Sequence, residues 1–316
     1  RAPDPFEGEG RELTVEQALG NAVSTADTSL AQRPELQTEV YAMLAGVYTN
    51  LDLHEEALDL RERLLVLKQS GPQTPEYEVL LARLNVSVSE IGAGKFADAR
   101  DDIVAITDAL RNQHSEQEAA LAYALLEFGT GEKDYGDVVV ALELIEESVT
   151  LYRAATTTNS VDLARALHTV ASAYNMQGNT ELALAAIDEA IEIRSAVFGP
   201  KSLRTLLSRI ERATTLDEMH DYVAAGVEYE DLVDVLSEAL GPSHSYTLTT
   251  LNNQARTMVA EKRRDEAELI YRDILERKRK KYDGEPAATV AITLQNIATL
   301  LSSQGRDDEA VPLLIE

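Results

Sequence analysis

The chain has 316 residues, of which 44% are hydrophobic and 27% charged, and none of its apolar runs approaches the roughly 20 residues of a membrane span. Its formal net charge of −26 repels nucleic-acid phosphates and anionic lipids, so we expect neither as a partner. The absence of Cys excludes disulfides and thiolate metal sites. Abundant Ala, Leu and Glu with few aromatic residues favour an all-α fold.

The chain opens with a segment, 1–12, that we interpret as an extended leader. It begins without Met, and the chain ends in an apolar segment, 311–315, so we expect an excised piece of a longer polypeptide. Next, Thr14 and Gln17 have the spacing of a capping box. They precede apolar residues at helical spacing, which predicts a helix that caps the remainder of the chain.

An internal repeat of about 42 residues fills the rest of the chain. One position of the repeat is always Ala, with five steps of 42 and a last step of 43: Ala57, Ala99, Ala141, Ala183, Ala225, Ala267 and Ala310. Twelve residues earlier, each copy has another small residue: Ala45, Ser87, Gly129, Ala171, Ala213, Ala255 and Ala298. Two antiparallel helices can approach closely only if small side chains stand where they cross. The pattern therefore predicts seven helix hairpins, each with a helix A and a helix B.

The fourth copy shows the hairpin most clearly. An apolar stripe predicts helix A over 162–176 and a second stripe predicts helix B from about 180 to 197. A glycine falls in the turn between the helices at one phase of several copies: Gly94, Gly136, Gly178 and Gly305. In the fifth copy, Arg209 and Arg212 stand where other copies are apolar, so we expect them to loosen that copy or to pair with nearby Glu.

One hairpin leaves a face uncovered, so the copies must stack. We predict a single superhelical domain over 13–316 with helices A on its concave side. The predicted repeats are 35–75, 76–117, 118–160, 161–202, 203–244, 245–287 and a truncated 288–316.

The stripe of helix A opposite the hairpin core predicts a partner-binding surface, which we call the A face. It comprises the positions six, three and two before and one, four and five after each small residue of helix A. The candidate partner-binding residues on it are Leu81, Leu84, Asn85, Val88, Arg165, His168, Ser172, Asn175, Asn252, Asn253, Arg256, Gln295, Asn296 and Thr299.

Three amides of the A face, those of Asn85, Asn253 and Asn296, share one phase of the repeat. An amide both donates and accepts, which suits holding the backbone of an extended peptide. The alternative is that these amides bridge neighbouring helices or only mark the repeat. The apolar stretch around Leu81 and Leu84 likewise predicts either a pocket for a partner or packing within the stack.

The remaining side-chain patterns give no specific chemistry. The basic run 277–281 favours either an acidic or phosphorylated partner or an ordinary solvated helix end. The five His residues lack metal-ligand spacing, and we find no phosphate loop or nucleophile motif. We therefore predict no catalytic residue, no cofactor and no metal, and treat an enzyme as the least favoured class.

The small pair twelve residues apart and the nearby Tyr48, Tyr174, Tyr229 and Tyr271 resemble the tetratricopeptide repeat (TPR). The 42-residue period and the segments 251–255 and 240–244 are similar to the kinesin light chain class of such repeats. The resemblance implies a right-handed α-solenoid with a peptide-binding groove, in which the shared Asn has a similar role.

The leader resembles another family. Its segments 4–8, 13–15, 30–37 and 47–48 are similar to the start of the repeat region in bacterial membrane-anchored serine/threonine protein kinases. This implies a regulatory region outside the cytoplasm, beside a kinase domain absent from this chain. A cytoplasmic location is the alternative.

The sequence thus favours a scaffold that binds a protein or a peptide on the A face. Self-association through the terminal repeats is the alternative.

Overall fold

The computed structural model describes residues 14–51, 53–71, 74–112, 118–155, 160–281 and 288–315. These residues form fifteen α-helices and no strand. None of these helices is both long and apolar enough to cross a membrane. The predicted all-α fold is confirmed. The chain divides into two compact units, Arg1–Gly136 (unit 1) and Asp137–Glu316 (unit 2), and the prediction of one domain over 13–316 stays a prediction.

Unit 1 contains the capping helix, two complete hairpins and one further helix A. Successive helices pack against each other along the chain. They are α1 (Val15–Ser29), α2 (Pro34–Asn50), α3 (His54–Ser70), α4 (Glu76–Gly92), α5 (Phe96–Asn112) and α6 (Glu118–Tyr135).

Unit 2 contains one helix B followed by four hairpins, again with each helix packed against the next. The first five helices are α7 (Val138–Ala154), α8 (Ser160–Met176), α9 (Thr180–Phe198), α10 (Leu203–Glu218) and α11 (Tyr222–Leu240). The last four are α12 (Ser245–Ala260), α13 (Arg264–Lys281), α14 (Ala288–Ser303) and α15 (Asp307–Ile315).

The helix ends follow local sequence chemistry. The Thr14 hydroxyl accepts from the backbone N–H of Gln17 at 3.2 Å, and the Gln17 side chain accepts from the backbone N–H of Thr14 at 3.2 Å. This confirms the predicted capping box, which satisfies two of the free N–H groups at the start of α1. In the fourth copy, α8 and α9 match the two predicted helices to within two residues at either end.

The ladder of small residues lies at the helix crossings. All fourteen positions, seven on helices A and seven on helices B, are buried. In unit 2, for example, Ala255 of α12 and Ala267 of α13 are both fully buried in one core with Tyr271, Ile274 and Leu301. The packing therefore agrees with the steric explanation of the repeat.

The turns between helices A and B share a left-handed residue. Gly178 has φ +75°, and the following N–H, of Asn179, donates to the carbonyl of Tyr174 at 2.9 Å, which closes the helix end. Gly136 does not adopt this conformation, and two copies without a glycine place His220 (φ +62°) and Lys262 (φ +67°) there. The repeat thus imposes its turn geometry even on side chains that disfavour it.

The two unusual arginines of the fifth copy are paired. Arg209 contacts Glu228 at 2.7 Å and Asp231 at 2.8 Å. Arg212 contacts Asp188 at 2.8 Å and the other oxygen of Glu228 at 3.2 Å. Of the two alternatives, pairing is therefore the correct one, and Glu228 of α11 links both arginines of α10.

Candidate functional site

The A face of unit 1 is more deeply covered than the sequence predicts. Leu84 is fully buried, so its assignment to a partner-binding surface is wrong and it belongs to the core. Leu81, Asn85 and Val88 are half-buried on the same helix, α4. Arg61 of α3 donates to the carbonyl of Asn85 at 3.2 Å and to the hydroxyl of Ser89, so a side chain of the chain itself already occupies part of this surface.

In unit 2, the A face of α8 presents Arg165, His168, Ser172 and Asn175, all half-buried. The amide nitrogen of Asn175 donates to Glu211 Oε1 at 2.9 Å and to Thr215 Oγ1 at 2.8 Å. Both acceptors lie on α10, the next helix A. Asn175 therefore ties two neighbouring helices A together.

A second link between these helices involves a buried arginine. His168 Nδ1 and the Ser208 hydroxyl are 3.3 Å apart, and Arg194 of α9 donates to that hydroxyl at 2.6 Å and to the carbonyl of Arg204 at 2.9 Å. Burial, with smaller contributions from the charges of Arg204 and Arg165, lowers the pKa of Arg194 to about 10. Arg194 thus joins α9 to the start of α10.

The A face of α12 combines an anchored arginine with an amide that makes no side-chain bond. Asp217 of α10 accepts from Arg256 Nη2 at 3.0 Å and from the Thr257 hydroxyl at 2.7 Å. Asn253, half-buried one turn before, has no side-chain hydrogen-bond partner among the described residues. Its two N–H groups and its oxygen are therefore available to a ligand.

The A face of α14 is the most open part of this surface. Gln295 and Thr299 are exposed, while Asn296 is half-buried. The Asn296 amide donates to Asn252 Oδ1 at 2.7 Å, which links α14 to α12. Of the three amides that share a phase, Asn296 therefore bridges helices, as the alternative interpretation holds, whereas Asn253 does not.

Sequence reasoning missed Glu211, Thr215 and Asp217 of α10. Glu211 and Asp217 stand two before and four after the small residue Ala213, at positions that belong to the A face. Applying the same stripe to the fifth copy would have found both carboxylates. As acceptors, they explain why Asn175 and Arg256 are held in place.

The basic run at the end of α13 is engaged within the chain. Arg277 pairs with Asp273 at 2.6 Å and Lys280 with Glu276 at 2.7 Å. Lys278 donates to the carbonyl of Thr289 at 2.8 Å, and burial lowers its pKa. These contacts favour the structural interpretation over a site for an acidic partner.

Across the described ranges, no group of three or more His, Asp or Glu side chains is arranged to hold a metal ion.

Family models for the tetratricopeptide repeat match two segments of the chain, residues 162–226 and 290–316. A clustered mitochondria protein homolog from Meyerozyma guilliermondii is 25% identical over 255 residues. The match covers 79% of this chain and 19% of that protein, so the chain spans about a fifth of the length of this curated relative.

Several solved structures share the fold. The Rap protein complexed with Competence and Sporulation Factor has a TM-score of 0.64 at 12% identity, over 88% of this chain and 75% of that chain. The apo quorum sensor NprR from B. thuringiensis has a TM-score of 0.63 at 13% identity, over 95% and 86%. A kinesin light chain with nearly identical TPR-like repeats from Podosopora anserina has a TM-score of 0.57 at 18% identity, over 65% and 96%. The fold is thus a TPR-like helical solenoid.

Proposed function

We propose that this chain binds an extended peptide segment of another protein on the A face of unit 2. The observation that carries the proposal is the side-chain amide of Asn253, which lies half-buried on α12 without a partner among the described residues. Such an amide keeps two donors and one acceptor available on the surface. A peptide backbone offers the matching carbonyl and N–H groups.

The polar side chains next to Asn253 are already held in place by other residues of the chain. Arg256 is held by Asp217, and Asn252 is held by Asn296, so the polar groups on either side of Asn253 are fixed before a ligand arrives. Fixed side chains lose little conformational freedom when a ligand binds. Gln295 on the neighbouring α14 remains exposed and extends the polar surface.

One of the structures with a similar fold was solved as a complex, which supports a binding role for such a solenoid. The Rap structure is a complex with Competence and Sporulation Factor, and the proteins with this fold include a quorum sensor and a kinesin light chain. At such low sequence identities, the similarity shows the fold but does not identify a ligand. The nature of the segment bound by this chain therefore rests on the chemistry of its own A face.

The wider context that we propose is the regulatory region of a larger bacterial serine/threonine kinase. Its support is the similarity of the leader, residues 4–8 and 30–37, to the start of the repeat region in that family. Determining the coding sequence upstream of Arg1 tests this context. A membrane span preceded by a kinase catalytic loop is the expected result, and an upstream sequence without either contradicts it.

The peptide proposal is tested by selection followed by titration. A phage-displayed library of linear peptides is selected against the full chain, and a selected peptide is titrated by calorimetry against the wild type, Asn253→Ala and Glu192→Ala. Because one hydrogen bond contributes about 0.5–1.5 kcal/mol, we expect Asn253→Ala to weaken binding roughly two- to tenfold. Glu192→Ala, an exposed change on α9, is the control and should not alter binding. Equal affinities for Asn253→Ala and the wild type would contradict the proposal.

Self-association is a second candidate, favoured by exposed apolar side chains on α15. Val311, Leu314 and Ile315 are exposed by 53%, 62% and 80%. Adjacent exposed apolar residues commonly mark contact surfaces. Light scattering over a range of concentrations tests this candidate with Leu314→Glu as the variant. A concentration-dependent mass that the variant abolishes supports it, and a constant monomer mass excludes it.

A further inference from the structure

A cavity of about 390 Å³ lies in unit 1, beside the capping helix and away from the A face. It is open to solvent and has the size of a small-ligand site. Its lining comes from three helices and includes Gly20 and Val23 of α1, Tyr48 of α2, and Glu56, Asp59 and Leu60 of α3.

The position of α1 explains why this space is open. The second half of α1 is tied down, because Asp27 accepts from the Tyr41 hydroxyl and pairs with Arg63 of α3 at 3.2 Å. Two turns earlier stands Gly20, where an added Cβ would meet no atom within 4 Å. Because Gly20 has no side chain, a space remains open between α1 and α3.

The buried Tyr48 points to a ligand. Its side chain is only 4% exposed, and its hydroxyl has no hydrogen-bond partner among the described residues. The ring is buried, but the hydroxyl is not among the side-chain atoms that are closed off from solvent without a partner, so it is accessible in the cavity and can bond to a ligand there. Burial, with smaller contributions from the negative charges of Glu56 and Glu16, raises the pKa of Tyr48, so the phenol stays protonated in a negative potential.

The charged residues around the cavity determine which charge a ligand group can carry there. Asp59 is paired with Arg63 at 2.8 Å, and Glu55 with Lys95 at 2.8 Å. Glu56 forms no ion pair within the described ranges. A carboxylate without a counter-ion, next to the apolar Val23 and Leu60, complements a side chain that has both a methylene stem and a positive head.

We propose that this cavity binds a Lys or Arg side chain presented by a basic segment of a partner protein. The stem lies against Val23, Leu60 and the Tyr48 ring, while the cation donates to Glu56 and to the Tyr48 oxygen. The net charge of −26 attracts such a segment and speeds its approach. The site is separate from the A face and does not depend on the peptide proposed there.

The test uses an acetylated and amidated hexapeptide of alternating Lys and Leu, with norleucine replacing Lys in a control peptide. Binding to the full chain is measured by calorimetry for the wild type, Gly20→Leu, Glu56→Gln and Glu62→Gln. Gly20→Leu fills the cavity without changing any charge, and Leu in place of Gly within a helix also stabilises it, so the variant should fold. Glu62→Gln removes one exposed charge of the same helix as Glu56, outside the cavity lining.

We expect Gly20→Leu and Glu56→Gln each to weaken binding of the Lys peptide about tenfold, while Glu62→Gln changes it less than about twofold. The norleucine peptide should bind neither the wild type nor the variants. Equal losses in the two Glu variants with no loss in Gly20→Leu would show general charge attraction and overturn the proposal. Free butylamine that binds as tightly as the peptide would overturn the assignment to a protein segment.

Discussion

His220 and Lys262 adopt a backbone conformation that favours glycine, with φ of +62° and +67°. In this region the Cβ of an ordinary residue crowds the following carbonyl, at a cost of about 1–2 kcal/mol. They occupy the phase of the repeat that Gly94, Gly178 and Gly305 fill in other copies. The turn is therefore enforced by the packing of the two helices that it joins, at the expense of local strain.

We predict that Lys262→Gly stabilises unit 2 by about 0.5–1 kcal/mol, because relief of strain exceeds the entropy that glycine adds to the unfolded chain. Lys262→Ala is the control, since it removes the same charge but keeps the Cβ. Urea denaturation followed by circular dichroism measures both. A Lys262→Gly chain no more stable than Lys262→Ala would show that the turn is not strained.

Glu268 on α13 is the carboxylate that joins α13 to the turn of the last hairpin. It pairs with Arg306 at 2.6 Å and with Arg272 at 2.7 Å, and its own side chain is only 13% exposed. The hydrogen bond from Arg306 is the largest influence on Glu268 and, with Arg272, holds its pKa below the ordinary value.

A pH dependence results from that shift. Because the pKa of Glu268 is lower in the folded chain than in the unfolded chain, its stabilising contribution is present above about pH 4.5 and is lost as the pH falls through the folded value. We predict that Glu268→Gln lowers the free energy of unfolding at pH 7 and that the difference from wild type shrinks towards pH 3. Urea titrations at both pH values measure it. A difference that is the same at both would exclude the ion pairs as its cause.

At the scale of helices, the sequence predicts where helices A and B cross, but it does not predict the polar hydrogen bonds between neighbouring helices A. The small residues recur because two helices can approach only where side chains are small, a condition that acts at the same phase in every copy. Bridges such as Asn175 to Glu211 depend on the rotamers of side chains 36 residues apart. The stripe places Leu84 on the A face because it treats every helix A alike, whereas α4 buries this position in the core.

The small residues at the helix crossings predict that a larger side chain there destabilises the fold. Ala255 and Ala267 are fully buried at the crossing of α12 and α13, so we expect Ala255→Leu to lower the free energy of unfolding by about 1–3 kcal/mol. Ala260→Leu, an exposed change on the same helix, is the matched control and should stay within about 0.5 kcal/mol of wild type. Thermal and urea unfolding both report the difference. If the two variants were equally stable, close approach at Ala255 would not be required.

For the molecule as a whole, the repeat period and the composition were sufficient to predict the fold. A 42-residue period with two apolar stripes leaves few architectures other than stacked hairpins. The candidate site was predictable only in part. The stripe located Asn252, Asn253 and Asn296 on one face, but whether each amide bonds to a neighbouring helix or stays available depends on the spacing of those helices, which one sequence does not reveal.

The peptide site proposed on the A face of unit 2 is tested most directly by mapping the contact. A peptide selected on the full chain is synthesised with a photoreactive diazirine side chain and irradiated in the complex, and the cross-linked residues are identified by mass spectrometry. We expect cross-links on the helices A, at α12 around Asn253 and at α14 around Gln295. Cross-links confined to the helices B, α9, α11 and α13, would contradict the proposed site.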